Sequence, residues 1–222
     1  DKLSATQVKS LSTGQVAALT TAQATKLTTE QLAALSSAQV AAMSTADLAT
    51  LTTTQLQAIS SAGVGAMSTT QIASLGGLGT AQVSALTTSQ VKALNSAQVA
   101  ALTTAQVSIL GSDQLGAMSS AQVRGFETGD LAKLTSDQVR AITATAVSGL
   151  TTDQVVALTT NQAANLTTDQ ANALSSAQAK ALTTDALTAL DNDRLRALNN
   201  TAVAGFSTLQ VSNLTTDQLN AL

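Results

Sequence analysis

The chain is expected to be all-α, a solenoid of short capped helices with one helix per eight-residue repeat. Three observations on its 222 residues lead there. An eight-residue unit recurs from Leu3 almost without interruption, so the repeat decides the fold before any other feature. The second position of the unit carries the residues that start helices, and the charges follow helix polarity unit after unit.

The unit is clearest at Leu150-Thr151-Thr152-Asp153-Gln154-Val155-Val156-Ala157. Position one is large and apolar, positions two and three carry hydroxyls, position five is Gln, position six is Val or Leu, and position eight is small. Residues 1–75 hold nine units, 76–77 form a Gly-Gly insertion, and 78–222 hold eighteen more, all expected to belong to one solenoid. Position one is Leu, Ile, Met or Phe in all 27 units. Position five is Gln in 20 of them, the exceptions being Asp47, Gly63, Asp130, Ala146, Ala186, Arg194 and Ala202.

The period excludes the simple alternatives. Eight residues of continuous α-helix advance about 800°, roughly 80° past two turns, so the Leu row would wander around a long helix. In a strand, positions one and six have opposite parity and would face opposite sides, and the Ala and Gln content disfavours strands. A short helix restarted once per unit fits. Thr103 to Gln106 has the form of a capping box, in which the hydroxyl accepts from the N3 amide and the N3 Gln reaches back to the cap N–H. Position two is Ser, Thr, Asn, Asp or Gly in every unit except at Glu127. The helix then runs from position three to position eight or the next Leu. Positions six and one, three residues apart as at Val107 and Leu110, share a face. A β-solenoid remains the alternative.

Charge placement agrees. Glu30, Asp113, Asp137, Asp153, Asp169, Asp185, Asp193 and Asp217 all sit at position four, in the first helical turn. Lys9, Lys26, Lys92, Arg124, Lys133, Arg140, Lys180 and Arg196 sit at position seven or eight, in the last. One unit buries too little apolar surface to offset the ordering of eight backbones, so units must stack and cover one another. Met43, Met67 and Met118 lead the sixth, ninth and fifteenth units and the insertion follows the ninth, which favours three helices and 24 residues per coil; two or four stay open. Leu75-Gly76-Gly77 reads as a bulged corner, since Gly tolerates positive φ. Phe126 and Phe206 each follow a Gly and read as core residues, and Ala163, Ala171 and Ala179 at position six predict a narrower core.

The chemistry is sparse. There is no His and no Cys, which removes the commonest general base, the usual zinc ligands and any disulfide. The hydroxyls lack a His partner and read as caps. Asp191-Asn192-Asp193 lacks the spacing of a calcium loop and reads as a solvated corner. No catalytic, cofactor-binding or metal residue is expected, nor an enzyme. A net charge of −3 argues against nucleic-acid binding, and no apolar run is long enough for a membrane span. No signal-peptide pattern opens the chain, which suggests processing or a longer parent.

The pattern L-[ST]-[ST]-x-Q-[VL]-x-A, as in Leu86-Thr87-Thr88-Ser89-Gln90-Val91, resembles octapeptide arrays of very large secreted bacterial proteins described as adhesins, haem-utilisation or RTX-like proteins. The resemblance covers nearly the whole chain and implies a scaffold at the cell surface or outside the cell, without specific functional residues. The calcium nonapeptides of RTX proteins are missing. The array has no polar sealing repeat at either end, so end-to-end self-association, or continuation in a longer chain, is expected. The function expected is a structural extracellular fibre, filament subunit or adhesin stalk, with a cell-surface or extracellular partner. Ice or surface binding by rows of Thr and Ser is the alternative.

Overall fold

The computed structural model describes residues 3–76 and 81–222, and among these every regular element is helical. The chain divides into two compact units, Asp1–Leu110 and Gly111–Leu222. The division falls between positions one and two of the repeat that begins at Leu110 and not at the Gly-Gly insertion.

The first unit carries α1 (Ala5–Lys9), α2 (Thr13–Ala17), α3 (Thr21–Ala24), α4 (Thr29–Ala34), α5 (Ser37–Ala42), α6 (Thr45–Thr50), α7 (Thr53–Ala58), α8 (Ser61–Gly65), α9 (Thr69–Ser74), α10 (Ala81–Ser84), α11 (Thr88–Ala93), α12 (Ser96–Ala100) and α13 (Thr104–Ser108). The second carries α14 (Ser112–Gly116), α15 (Ser120–Val123), α16 (Thr128–Leu131), α17 (Ser136–Ala141), α18 (Ala144–Val147), α19 (Thr152–Ala157), α20 (Thr160–Ala164), α21 (Thr168–Asn172), α22 (Ser176–Ala181), α23 (Thr184–Thr188), α24 (Asn192–Ala197), α25 (Asn200–Val203), α26 (Thr208–Asn213) and α27 (Thr216–Leu219).

Each helix starts where the repeat starts it. At α13 the Thr103 hydroxyl accepts from the Gln106 N–H at 3.3 Å, and Gln106 Oε1 accepts from the Thr103 N–H at 2.7 Å, so two of the orphan donors of the helix start are satisfied by one pair of side chains. The same box closes in every described helix that has Gln at position five and a side chain at its cap. The end is as regular. The next position-one residue turns extended, as Leu35 does with φ −65° and ψ 136°, while its N–H still donates to the position-six carbonyl, here Leu32 at 3.3 Å. That turn reconciles the step of three residues from position six to position one with the step of five to the next position six. Several helices stop at position six or seven, shorter than expected; α3 spans only Thr21–Ala24.

Three helices make one coil. Every helix pair in substantial contact is separated by three in the order, α1 with α4 and α2 with α5 in the first unit, α14 with α17 and α21 with α24 in the second. Positions one and six line the interior of each stack. Val40, Leu48 and Leu56 are fully buried, and Met43, Leu51 and Ile59 are nearly so. Ala163, Ala171 and Ala179 are likewise fully buried, and Phe126, also in the second unit, is buried. Phe206 is only half-buried.

At the insertion, Gly76 has a φ of 140°, which a residue with a Cβ rarely adopts, and its N–H donates to Gln82 Oε1 at 2.8 Å. Gly77, Leu78 and Gly79, the rest of the expected corner and the start of the next repeat, lie outside the described residues.

Candidate functional site

The feature that the whole chain repeats is the position-five glutamine, and its work goes beyond the capping box. Gln39 accepts from the Ser36 N–H through Oε1 at 2.8 Å. Its Nε2 donates to the carbonyls of Val8 at 3.0 Å, Lys9 at 3.2 Å and Leu11 at 2.8 Å, at the end of α1 in the coil below. Gln154 does the same in the second unit, accepting from Thr151 at 2.9 Å and donating to Val123 at 3.2 Å, Arg124 at 3.1 Å and Phe126 at 2.6 Å. One amide thus closes the start of its own helix and the open carbonyl end of a helix one coil away. A glutamate would make the first bond and not the second, because a carboxylate only accepts. Gln39 and Gln154 are each 3% exposed, so both sets of bonds lie in a dry interface where an unmade bond is costly.

The register of these bonds records the insertion. Gln39, Gln55 and Gln71 reach carbonyls 28 to 31 residues back. Gln82, Gln90 and Gln98 reach 31 to 34 back, because their coil contains the three additional residues. The amide keeps its target while the sequence distance changes.

Where position five is not Gln, three substitutes occur. Arg194 donates from Nε to the Leu166 carbonyl and pairs with Asp191, which caps α24 in place of a hydroxyl. Opposite Ala202, the cap residue Asn199 takes over the amide's work, donating from Nδ2 to Asn172 at 2.6 Å and Leu174 at 2.9 Å while its Oδ1 accepts from the Ala202 N–H at 2.8 Å. At Gly149 and Gly205 the coils close in. A Cβ at Gly149 would sit 2.5 Å from Ser120 Cβ, and one at Gly205 would sit 2.5 Å from the Ser176 carbonyl oxygen. Asp47 has no substitute. It is 1% exposed, stands in register between Gln39 and Gln55, and its Oδ2 has no hydrogen-bond partner.

Two coils are more exposed than their neighbours, that of α1 to α3 in the first unit and that of α25 to α27 in the second. In the first unit, Gln7, Gln15 and Gln23 are exposed, and their Nε2 groups make no hydrogen bond among the described residues although their boxes are closed. Leu3 beside them is 50% exposed, and Leu11 and Leu19 are half-buried. Leu3, Val8, Leu19 and Leu27 line a depression of about 390 Å³ on this face. In the second unit the position-six residues of the last coil are uncovered, Val211 at 40% and Leu219 at 44%, with Val203 half-buried. The carbonyls of Leu198, Phe206 and Leu214 accept no hydrogen bond among the described residues, whereas the corresponding Leu182 carbonyl accepts from Gln210 at 2.8 Å.

Other concavities carry little chemistry. A groove of about 490 Å³ is lined by Thr45, Ala46, Ala49, Ala73, Ser74, Gly76, Thr103, Ala105 and Gln106, with no ionisable group among them. Asp191, Asn192 and Asp193 border an open hollow with Leu190 and Gln218. There Asp191 is committed to capping and to Arg194, and Asp193 lies 3.5 Å from Arg196. Among the described residues no three His, Cys, Asp or Glu come together as a metal site would require, and no helix is long and apolar enough to cross a membrane. No site residue is predicted from the sequence, and the outward half of the glutamine amide is visible only in the fold.

Among curated proteins no sequence matches. The ALTTAQ repeat model matches residues 40–77, 75–104, 96–126, 123–160 and 187–222, and residues 101–106 spell that hexapeptide letter for letter. With most of its length matched, built on the Thr cap and Gln rung just described, the chain belongs to the ALTTAQ repeat family.

Proposed function

We propose that this repetitive structural protein serves as an extracellular scaffold, a fibre or adhesin stalk whose length is set by the number of stacked coils. The observation that carries this reading is the repeated interface. In both units, coil after coil is joined by the same amide donation and the same buried pair of positions one and six. An interface reused in this way adds stability with each repeat and demands no unique residue, which suits a spacer. The resemblance to octapeptide arrays of secreted bacterial proteins supports the location outside the cell. Ice binding is less well supported. Position three of the stacked helices α15, α18, α21, α24 and α27 reads Ser, Ala, Thr, Asn and Thr, which breaks the methyl-hydroxyl row such a surface needs, and position-two hydroxyls are occupied as caps.

Immuno-electron microscopy on cells that produce the protein tests the proposal. Label along rods of even width outside the cell is the expected result. Label confined to the cell interior would overturn it.

A further inference from the structure

We propose that Asp47 marks a binding site for a large monovalent cation, potassium or an ion of its size and charge, between the first two coils of the first unit. Its neighbours in the repeat define the geometry. At the corresponding position Gln39 sends Nε2 to the carbonyls of Val8 at 3.0 Å, Lys9 at 3.2 Å and Leu11 at 2.8 Å, the last of them 28 residues back. Gln55 reaches Leu27, again 28 residues back, at 2.8 Å. The same register sets Asp47 over Val16, Ala17 and Leu19 at the end of α2. That end is built like the end of α1, since Ala18 closes it with φ −88° and ψ 0° where Ser10 has φ −83° and ψ −6°. The carbonyls of Ala17 and Leu19 accept no hydrogen bond among the described residues. Asp47 is one methylene shorter than Gln and carries no side-chain N–H, so the point where Gln39 holds its donor is bordered at Asp47 by oxygens alone. Asp47 is 1% exposed, its Oδ2 has no hydrogen-bond partner, and it joins no ion pair among the described residues.

Charge and size select the ion. A buried carboxylate without a partner is costly, and the carbonyls at a helix end add partial negative charge. A bound positive charge relieves both. One carboxylate balances one such charge, whereas a divalent ion would leave an excess charge in a dry interface. The distances agree. Carbonyls at the end of α1 converge on the Gln39 nitrogen at 2.8–3.2 Å, longer than the roughly 2.3–2.6 Å of calcium or the roughly 2.0–2.1 Å of magnesium. Backbone carbonyls gathered around one point are the groups that replace the hydration shell of potassium. Gln39 and Gln55 meet the open carbonyls with an amide from the chain itself, and Asp47 meets them with a negative charge that holds a cation in the same place.

Thermal melts of the 222-residue chain, followed by circular dichroism, test this. Potassium, sodium and calcium chloride are each compared with tetramethylammonium chloride at equal ionic strength, because that cation is too large to sit among the carbonyls. The midpoint of the parent chain is expected to rise by about 3–6 °C for each tenfold increase in potassium beyond half-saturation. Asp47→Gln restores the residue that the repeat uses on either side and so keeps the fold. It is expected to melt above the parent without potassium and to show no potassium response. Asp47→Asn keeps the shape, removes the charge and is expected to lose the response as well. Glu30→Gln alters an exposed acid in the first turn of α4 and is expected to keep it. Equal parent midpoints in potassium and tetramethylammonium overturn the proposal, as does a potassium response that survives Asp47→Gln. Sodium or calcium acting at lower concentrations than potassium overturns the assignment of size and charge.

Discussion

Gln7 and Gln210 allow the inter-coil half of the amide's work to be measured apart from the capping half. Both sit in a terminal coil, both follow a Ser cap, and their boxes have nearly the same geometry: Oε1 accepts from the cap N–H at 2.7 Å and 2.8 Å, and the cap hydroxyl accepts from the Gln N–H at 3.2 Å in both. They differ in what lies beneath. Gln7 is exposed and its Nε2 donates to nothing among the described residues, whereas Gln210 is 3% exposed and its Nε2 donates to Ala179 at 3.0 Å and Leu182 at 2.8 Å. Replacing Gln7 by Ala frees a cap N–H that water can reach, at a cost of about 0.5–1 kcal/mol. Replacing Gln210 by Ala costs that much again and also strands the carbonyl of Leu182, a residue 3% exposed, for about 1–3 kcal/mol more. Urea unfolding followed by far-UV circular dichroism reads the difference. Equal costs, within about 0.5 kcal/mol, would refute the reasoning, because capping alone would then account for the conservation of Gln within the array.

Three further substitutions follow from the departures at position five and from the close approaches. Asp47→Gln supplies a donor where a buried carboxylate oxygen now has no partner, so it is expected to raise stability by about 1–3 kcal/mol, seen as a midpoint rise of about 2–4 °C per kcal/mol; a fall in the midpoint counts against the register assigned to Asp47. Gly149→Ala drives a Cβ to 2.5 Å from Ser120 and is expected to cost about 1–3 kcal/mol, whereas Gly129→Ala meets nothing within 4 Å and is expected to be neutral or mildly stabilising; thermal melts that rank them the other way reject the close-approach account. Asn199→Ser keeps the cap and loses the bonds to Asn172 and Leu174, and adding Ala202→Gln rebuilds the standard pair, so the double variant is expected to recover most of the loss; a double-mutant cycle with no coupling refutes the exchange of roles.

Much of this architecture is legible because its causes are local. A hydroxyl three residues before Gln, repeated every eighth residue, specifies a helix start, and the 3.6-residue turn against an eight-residue period forbids a continuous helix. The choice of three helices per coil was carried in the sequence only by the spacing of three Met and one insertion, since nothing within a unit encodes how many units close a turn. The inter-coil bond was hidden for a different reason. The capping box already explains a Gln at position five, so its remaining amide hydrogens raise no question until the helix ends are considered. Helices leave carbonyls open at their C-termini, and these repeats have no regular Gly or Lys at the end to close them. The residue that could answer from one coil away is the one that both accepts and donates. A capping box is satisfied by Glu as readily as by Gln, yet no position-five residue in this chain is Glu. The absence of Glu is the available sign that the side chain must donate as well. Three of the exceptions carry the same message, since Arg194 brings a donor of its own, Ala202 is paired with the amide of Asn199, and Ala146 and Ala202 each precede a Gly by three residues where the backbones draw together. Asp47 breaks the rule with a buried oxygen that has no hydrogen-bond partner, and for that reason restoring Gln there has much to gain.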